Sequence, residues 1–357
     1  MNILITSRLS DEKLQSKLVG LQSLASIKKI YLVRLFPLHG NKLVNINPSP
    51  FFRKYRVSFE IWRFAVLLRL AISKKPVCIV GIQFFMHGLC AIVIGMLTMT
   101  PSIVSLIGSD AMVYGRKPVI RVFFQFFVSR ASCVLVMGPS MAGCLPNVPK
   151  KRIFEIQNFI DPEVFNNKYD IPTRWDLGFF GNLVDIKNVE LLIEVVARLQ
   201  ARGLRCKTVI GGAGNREEYL KDLAQKQKVS DLVEFVGHQK DIAKFINMVK
   251  IVILTSKSEG LPAILLEASF CGVPAISSDV GEIGRYFKGY DNVYTVDREG
   301  GSVAFSNEIE RLLFDKAEYS KRIKSAERFR SLHIERWGKQ GQSRAWGAVI
   351  GMAQGYA

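Results

Sequence analysis

The sequence predicts an α/β chain of two doubly wound, Rossmann-like domains, and three observations point there. Short β-branched or apolar runs alternate with longer helical patterns along most of the chain. Its 357 residues are long for one domain and comfortable for two, and a 48% apolar content supplies two cores. The alternation also falls into two series, parted by a proline-bearing stretch from Asp161-Pro162 to Ile171-Pro172.

In the first series the predicted strands cover residues 2–6, 29–33, 77–80, 103–106, 133–137 and 153–156. In the second they cover residues 176–180, 208–211, 233–236, 251–255, 275–278 and 293–296. Helical patterns such as 188–199 and 217–225 separate them, the order expected of parallel sheets with helices on both faces. After Asp297 the text is mainly helical. The domains are therefore placed at 1–165 and 172–330, with a helical tail over 331–357 that can cross back to the first. Doubly wound sheets bind ligands at the carboxyl ends of their strands, so the expected site is the cleft between the two domains.

The opening residues, Met1 to Arg8, form too short an apolar run for a secretory leader and read as a first strand. Residues 76–109 contain no Asp, Glu, Lys or Arg, a length that could span a bilayer. Gln83, His87, Gly88 and Pro101 interrupt the run, which favours a buried strand-helix-strand. Six cysteines and four histidines are scattered without metal-ligand spacing, and the cysteines read as reduced core residues of an intracellular protein. Net charge is +18, and residues 1–165 carry most of it, with 21 Lys/Arg against 7 Asp/Glu. That asymmetry speaks of partners rather than of fold.

The loops after the second-half strands are where chemistry is expected. Residues 176–180 run into Gly181-Asn182-Leu183-Val184-Asp185-Ile186-Lys187, where a glycine admits a ligand and Lys187 offers a phosphate its charge. Residues 208–210 end in Gly211-Gly212-Ala213-Gly214, another close-approach turn. Residues 251–255 lead into Ser256-Lys257-Ser258-Glu259-Gly260-Leu261-Pro262, with a helix starting near Pro262 and free amides around Gly260 to Ile264. Glu267 follows within an apolar run, where a carboxylate is costly unless hydrogen-bonded; two ribose hydroxyls would satisfy it. The plainer reading stays open, in which Glu259 favours a helix start and Glu267 faces solvent.

Ser256-x-x-Glu259-Gly260-x-Pro262-x-x-x-x-Glu267-Ala268, then Cys271-Gly272-Val273-Pro274 and Asp279-Val280-Gly281, resembles the signature of group 1 (family 4) retaining glycosyltransferases of GT-B fold. The two glutamates stand with seven residues between them, as in that family's E-x7-E pair. Phe180-Gly181-Asn182-Leu183 with Lys187 resembles its donor-phosphate loop, Gly211-Gly212-Ala213-Gly214 its Gly-x-Gly-Pro turn, and Val236-Gly237-His238 the stretch beside the base. In the first domain, Ile107-Gly108-Ser109-Asp110 resembles the His-Gly-x-Asp loop. Gly138-Pro139-Ser140 and Ile156-Gln157-Asn158-Phe159-Ile160-Asp161 resemble the segments before the linker.

The resemblance implies roles. Glu267 would hold the ribose of a nucleoside diphosphate sugar, and Glu259, with the amides of Gly260 and Leu261, would address the transferred sugar and the diphosphate. Lys187 would neutralise the departing diphosphate, making Glu259 and Lys187 the catalytic pair. Gly181, Asn182, Gly211, Gly212 and His238 would complete the donor site, and Ser109 and Asp110 the acceptor side; His87, read from its own surroundings, is a further acceptor-side candidate, although a lone histidine in an apolar run is more often structural. No cofactor and no metal are implied. The chain departs from the family in three respects, of which the first two are Asn182 and Asn188 in place of the phosphate loop's arginine and following glycine, and Ile107 in place of the loop histidine. The first strand also leads to Ser7-Arg8-Leu9-Ser10 rather than to a Gly-Gly loop.

The expected acceptor is a hydroxyl of a lipid-linked or polysaccharide molecule, as in cell-surface polysaccharide or lipopolysaccharide biosynthesis. Residues 51–75 interleave Trp62, Phe64, Leu67, Leu68 and Leu70 with Arg63, Arg69, Lys74 and Lys75, which suits a helix in an anionic headgroup layer. An ordinary domain helix with solvated arginines is the alternative. The basic first half favours peripheral attachment at the cytoplasmic face of a membrane. Two other classes compete: a nucleotide-sugar epimerase of the same fold, and a non-enzymatic basic protein binding membrane or nucleic acid. No nucleic-acid-binding motif is present, and the glutamate pair would be unexplained by one.

Overall fold

Strands covered by helices on both faces read as continuous apolar runs, and this chain has enough of them for two parallel sheets. The computed structural model describes residues 1–107, 118–156, 158–167 and 170–355. They group into two units, Met1–Phe159 with Glu335–Ala357, and Ile160–Ile334.

The first unit holds β1 (Asn2–Ser7), β2 (Lys29–Val33), β3 (Leu43–Ile46), β4 (Cys78–Ile82), β5 (Ser102–Ser105), β6 (Cys133–Val136) and β7 (Ile153–Glu155). They pair in the order β3-β2-β1-β4-β5-β6-β7, every pair parallel. The winding reverses between β1 and β4, where Thr6 pairs with Gly81 and Ser7 with Ile82. β3 escaped the sequence reading. It is a four-residue edge strand in a polar stretch, partly exposed throughout, with Asn45 turned to bond the Leu38 amide and carbonyl at 2.9 Å each.

On one face, helix Asp11–Ser23 buries Leu14, Leu18 and Leu21, the i, i+4, i+7 positions of one stripe. Helix Lys339–Gln354 packs against it, adding Trp346, Val349 and Ile350 to the core of Ile3, Ile5 and Val80. The other face carries helices Arg56–Lys74 and Leu89–Thr98, whose Leu67, Ala71, Ala91 and Ile94 pack on Leu4, Val33 and Ile79. Of the uncharged segment 76–109, the described residues to 107 form β4, a turn at Phe84–Gly88, helix Leu89–Thr98 and β5. Among the described residues no helix is long and apolar enough to cross a membrane.

The basic segment 51–75 differs from expectation. It breaks at Tyr55 into helices Pro50–Lys54 and Arg56–Lys74. Arg63, expected on a cationic outer face, is 0% exposed, because 63, 67 and 71 share the inward stripe. Its guanidinium is neutralised by Glu60 and donates to the carbonyl of Met86 at 3.2 Å, which makes a buried charge tolerable.

The second unit holds β8 (Trp175–Phe180), β9 (Thr208–Gly211), β10 (Val233–Gly237), β11 (Val249–Leu254), β12 (Ala275–Ser278) and β13 (Val293–Val296). Their order is β10-β9-β8-β11-β12-β13, again all parallel, with the reversal between β8 and β11. After β13 the chain is helical over Gly301–Phe314, Lys316–Trp337 and Lys339–Gln354.

One side chain in the first core carries a testable cost. Lys17 on helix Asp11–Ser23 is 5% exposed, and among the described residues its ammonium reaches only the sulfur of Met137, at 2.9 Å. Burial pulls its ammonium down to about 7 from an ordinary 10.5. Between those two values the unfolded chain binds the proton that the folded chain has lost, so stability rises with pH across that window. Urea unfolding of the full chain at steps from pH 7 to 10 should show a gain of roughly 1 kcal/mol per pH unit relative to Lys17→Met. The Lys17→Met chain should be the more stable at pH 7. Parallel pH profiles for the two chains would contradict this.

Candidate active site

The loops that end β8 and β11 meet where the second sheet reverses. After β8 the backbone turns through Gly181 to Lys187, and its amides bond outward: Gly181 N to Gly211 O at 2.9 Å, Leu183 N to Ala213 O at 3.0 Å. Gly212 N continues to Gly237 O at 2.8 Å, so the ends of β8, β9 and β10 are tied together. Gly212 has φ +152°, and a Cβ there would lie 1.8 Å from the carbonyl oxygen of Gly181. Only glycine permits that approach.

Lys187 ends a single 3-10 turn, Asp185–Lys187, and Asn188 follows at φ 49°, ψ 46°. The left-handed demand of this position explains a glycine in the family pattern, and asparagine meets it at small cost. Two bonds hold the turn against the β11 loop: Lys257 N to Ile186 O at 2.8 Å, and Thr255 Oγ1 to Lys187 O at 3.2 Å. Lys257 Nζ reaches Asp185 at 2.9 Å and lowers its carboxyl.

This clamp brings Lys187 and Glu259 into contact. Lys187 Nζ stands 2.5 Å from Glu259 Oε1, which also accepts from Ser256 Oγ at 2.7 Å. Both side chains are mostly buried, 23% and 13% exposed. Behind them Gly281, at φ +64°, lies so close that a Cβ would fall 2.2 Å from the carbonyl of Glu259. Glu282 N bonds Gly260 O at 3.0 Å. Ser256 was legible only as part of the motif; its three-residue offset from Glu259 is the signal that it caps the carboxylate.

Helix Ala263–Phe270 begins just after Pro262, with no side chain capping its start. Gly260 is half-buried and Leu261 buried, so the loop before the helix is backbone-lined. Glu267 lies on this helix among buried Leu266, Ala268 and Phe270. It is half-buried, and its surroundings push its carboxyl up to about 7. No hydrogen bond or ion pair satisfies it among the described residues. Asn182 and His238 are exposed at the ends of β8 and β10.

On the acceptor side, Ser109 and Asp110 lie outside the described residues. His87, an acceptor-side candidate whose alternative was a structural role, is 4% exposed and takes the structural role. Its Nδ1 is 2.8 Å from Thr6 Oγ1, and Arg63 Nη1 approaches Nδ1 at 2.9 Å and Nε2 at 3.2 Å. Burial, then the charges of Arg63 and Arg8, hold the imidazole well below its ordinary range and therefore neutral. This polar cluster braces the turn after β4 and is a support. Sequence reasoning had no signal for it, since Arg63 and His87 are joined only by the fold. Among the described residues no group of three His, Cys, Asp or Glu is placed to hold a metal ion.

Residues 162–329 match the family model for glycosyl transferases group 1. N-acetyl-alpha-D-glucosaminyl L-malate synthase of Bacillus anthracis is 24% identical over 60% of this chain and 58% of its own. The lipopolysaccharide core biosynthesis glycosyltransferase LpsE of Rhizobium meliloti is 28% identical over 57% of this chain and 59% of its own. The chain thus spans less than two thirds of the length of these curated relatives. Among solved structures, Anabaena Alr3699/HepE in complex with UDP superposes with TM-score 0.80 at 15% identity, covering 98% of this chain and all of that one (100%). Sucrose-phosphate synthase (tll1590) from Thermosynechococcus elongatus gives TM-score 0.80 at 15% identity, with 100% of both chains covered. The shared fold is GT-B: two Rossmann-like parallel-sheet domains.

Glu267 supplies a pH test of the ribose assignment. Hydroxyl donors favour the ionised carboxylate, so a nucleotide must expel the proton that Glu267 holds below about pH 7. Calorimetric titration with UDP should show affinity falling by up to about tenfold per pH unit below that value. The nucleotide's own phosphate titrates against every variant, so the slope is read against Glu267→Gln, which should lack the extra fall. Matching slopes would remove Glu267 from the ribose.

Proposed function

On the premise that residues 162–329 are a glycosyl transferases group 1 domain within a GT-B chain, we propose that the protein moves a sugar from a nucleoside diphosphate donor to an acceptor hydroxyl. The observation that carries the reading is the contact of Lys187 with Glu259 where the second sheet reverses, with the carboxyl of Glu267, unpartnered among the described residues, on the helix that follows. Lys187 exchanges Glu259 for the diphosphate and neutralises the charge that grows as the sugar–phosphate bond breaks. Glu259, freed from that pairing and held by Ser256, addresses sugar hydroxyls together with the amides of Gly260 and Leu261. Gly181, Gly211, Gly212, Asn182 and His238 line the remaining donor loops. Because a lysine and backbone amides carry the positive charge, transfer proceeds without a metal or other cofactor. The sugar leaves with its anomeric configuration retained, as the family signature implies.

The acceptor is a lipid-linked or saccharide hydroxyl. The name of LpsE, which places that protein in lipopolysaccharide core biosynthesis, supports this reading. Incubating purified protein with UDP-, GDP- and ADP-sugars, with chelator present, should release nucleoside diphosphate from one of them when an acceptor extract is added. Lys187→Ala should slow that release by at least about a hundredfold, the scale of one lost charge-stabilising contact. A changed sugar still attached to its nucleotide, with no acceptor required, would indicate an epimerase instead.

The protein works at the cytoplasmic face of a membrane, attached peripherally through its first unit. Support comes from Val57, Ile61, Ile72, Met99 and Val122, which are 62–83% exposed. Residues 48–131 around them carry eleven Lys/Arg and only Glu60 and Asp110 as acids. Co-sedimentation should be strong with anionic vesicles at low salt, weak with neutral ones, and reduced by salt within a Debye length of roughly 10 Å at 0.1 M. Replacing Arg53, Lys54 and Arg56 with Ser should reduce it while sparing UDP binding; undiminished vesicle binding would move the contact elsewhere.

A further inference from the structure

The turn after β4 is built at a cost. Gln83 and Met86 both adopt left-handed backbone, at φ 76° and 68°, though neither is glycine. Such residues persist only where their surroundings over-determine them, and they gather at functional places. Here the surroundings are plain. Gln83 N bonds Ser105 O at 2.9 Å, Gly88 N bonds Gln83 O at 2.9 Å, and fully buried Arg63 grips the Met86 carbonyl. His87 anchors the far end of the turn to Thr6 on β1. The turn therefore sits where the first sheet reverses between β1 and β4, the place where doubly wound sheets take their ligands.

What this bracing displays is apolar. Between the turn and helix Arg56–Lys74 lies a groove of about 600 Å³, lined chiefly by Val57, Ile61, Phe64, Ala65, Phe85 and Met86. Val57, Ile61 and Phe85 are 71%, 65% and 50% exposed, a hydrophobic surface kept open to water. The volume lies within the ordinary range of ligand pockets. Charge is distributed unequally around it. Glu60 is the lone acid from residue 48 to 107, and Arg63 already neutralises it. Arg56 at the groove, with Arg53 and Lys54 just before it, is left as a cationic end.

A carbon-lined groove ending in cations that pair with no acid among the described residues complements a molecule with a hydrocarbon chain and an anionic head. We propose that it receives the single hydrocarbon chain of a lipid phosphate, the carrier of the acceptor, with Arg56 and its neighbours addressing the phosphate. The inference rests on the transfer reading above and narrows its acceptor from saccharide in general to a lipid-linked one. Arg63 and His87 act as positioning residues, since they touch the turn and never the ligand.

The probe is farnesyl phosphate, titrated by calorimetry below its micelle concentration into the full chain without membranes. One saturable site is expected, with farnesol binding more weakly and inorganic phosphate not competing at equal concentration. Ile61→Asp should weaken binding at least tenfold and Phe85→Ala several-fold. Both positions are half or more exposed, so melting temperature and UDP affinity should stay as in the parent. Absence of binding by the parent, equal binding by the variants, or full competition by inorganic phosphate would overturn the groove. Vesicle binding lost in Ile61→Asp without any binding of free farnesyl phosphate would also overturn it, making the face a leaflet contact. UDP affinity is read in the same samples: its absence in the parent would sink the donor reading, whereas its presence beside a failed groove would sink only the lipid carrier.

Discussion

Because β8 and β11 lie side by side in a parallel sheet, two loops far apart in sequence leave that sheet at the same edge. Lys187 and Glu259 are 72 positions apart, and their contact exists only because of that pairing. The glycine-tied turns around them remove slack: β8, β9 and β10 share backbone bonds across their ends, and Gly281 closes in behind Glu259. Everything else in the second unit can be read as support for that edge. A parallel sheet turns all its strand ends one way, so amides and side chains from several loops converge without any long excursion of the chain.

The two glutamates of one motif end in opposite circumstances. Glu259 has an ammonium and a hydroxyl on the same oxygen, so its charge is compensated before any ligand arrives. Glu267, on the next helix, has apolar neighbours and no polar partner among the described residues, and burial pushes its carboxyl up to about 7. Removing a partner from a mostly buried pair is expensive, whereas satisfying a lone carboxyl is a gain. On the proposed reading, an incoming nucleoside diphosphate sugar would offer both at once: anionic oxygens to replace Glu259 on Lys187, and hydroxyls to occupy Glu267.

Most of the architecture was legible because each sheet is buried on both faces, so its strands announce themselves as unbroken apolar text. β3 was not legible: an edge strand needs only one neighbour, and Leu43–Ile46 holds its place with an asparagine as much as with its branched residues. The close-approach loops after β8 and β9 could be read from glycine and lysine spacing, but not the contact of Lys187 with Glu259, which depends on strand order. Arg63 was misjudged for a related reason. A helix stripe was read by residue type, and type said solvent for an arginine, while the stripe position and a distant histidine said core. Asn188 shows the reverse case, a departure in letters that preserves the backbone conformation the position requires.

The last helix has a consequence for how the chain is made. Lys339–Gln354 completes the core of the first unit, setting Trp346, Val349 and Ile350 against the helix that begins at Asp11, with the indole bonded to the carbonyl of Lys17 at 3.2 Å. The second unit, by contrast, is one continuous stretch. During synthesis residues 160–334 are all made before Lys339–Gln354, so the second unit has its whole chain while Ile3, Leu14 and Leu18 of the first still lack that helix. The earlier-made unit is thus the later one to have its core complete, and until then it presents an apolar face of the kind that invites aggregation.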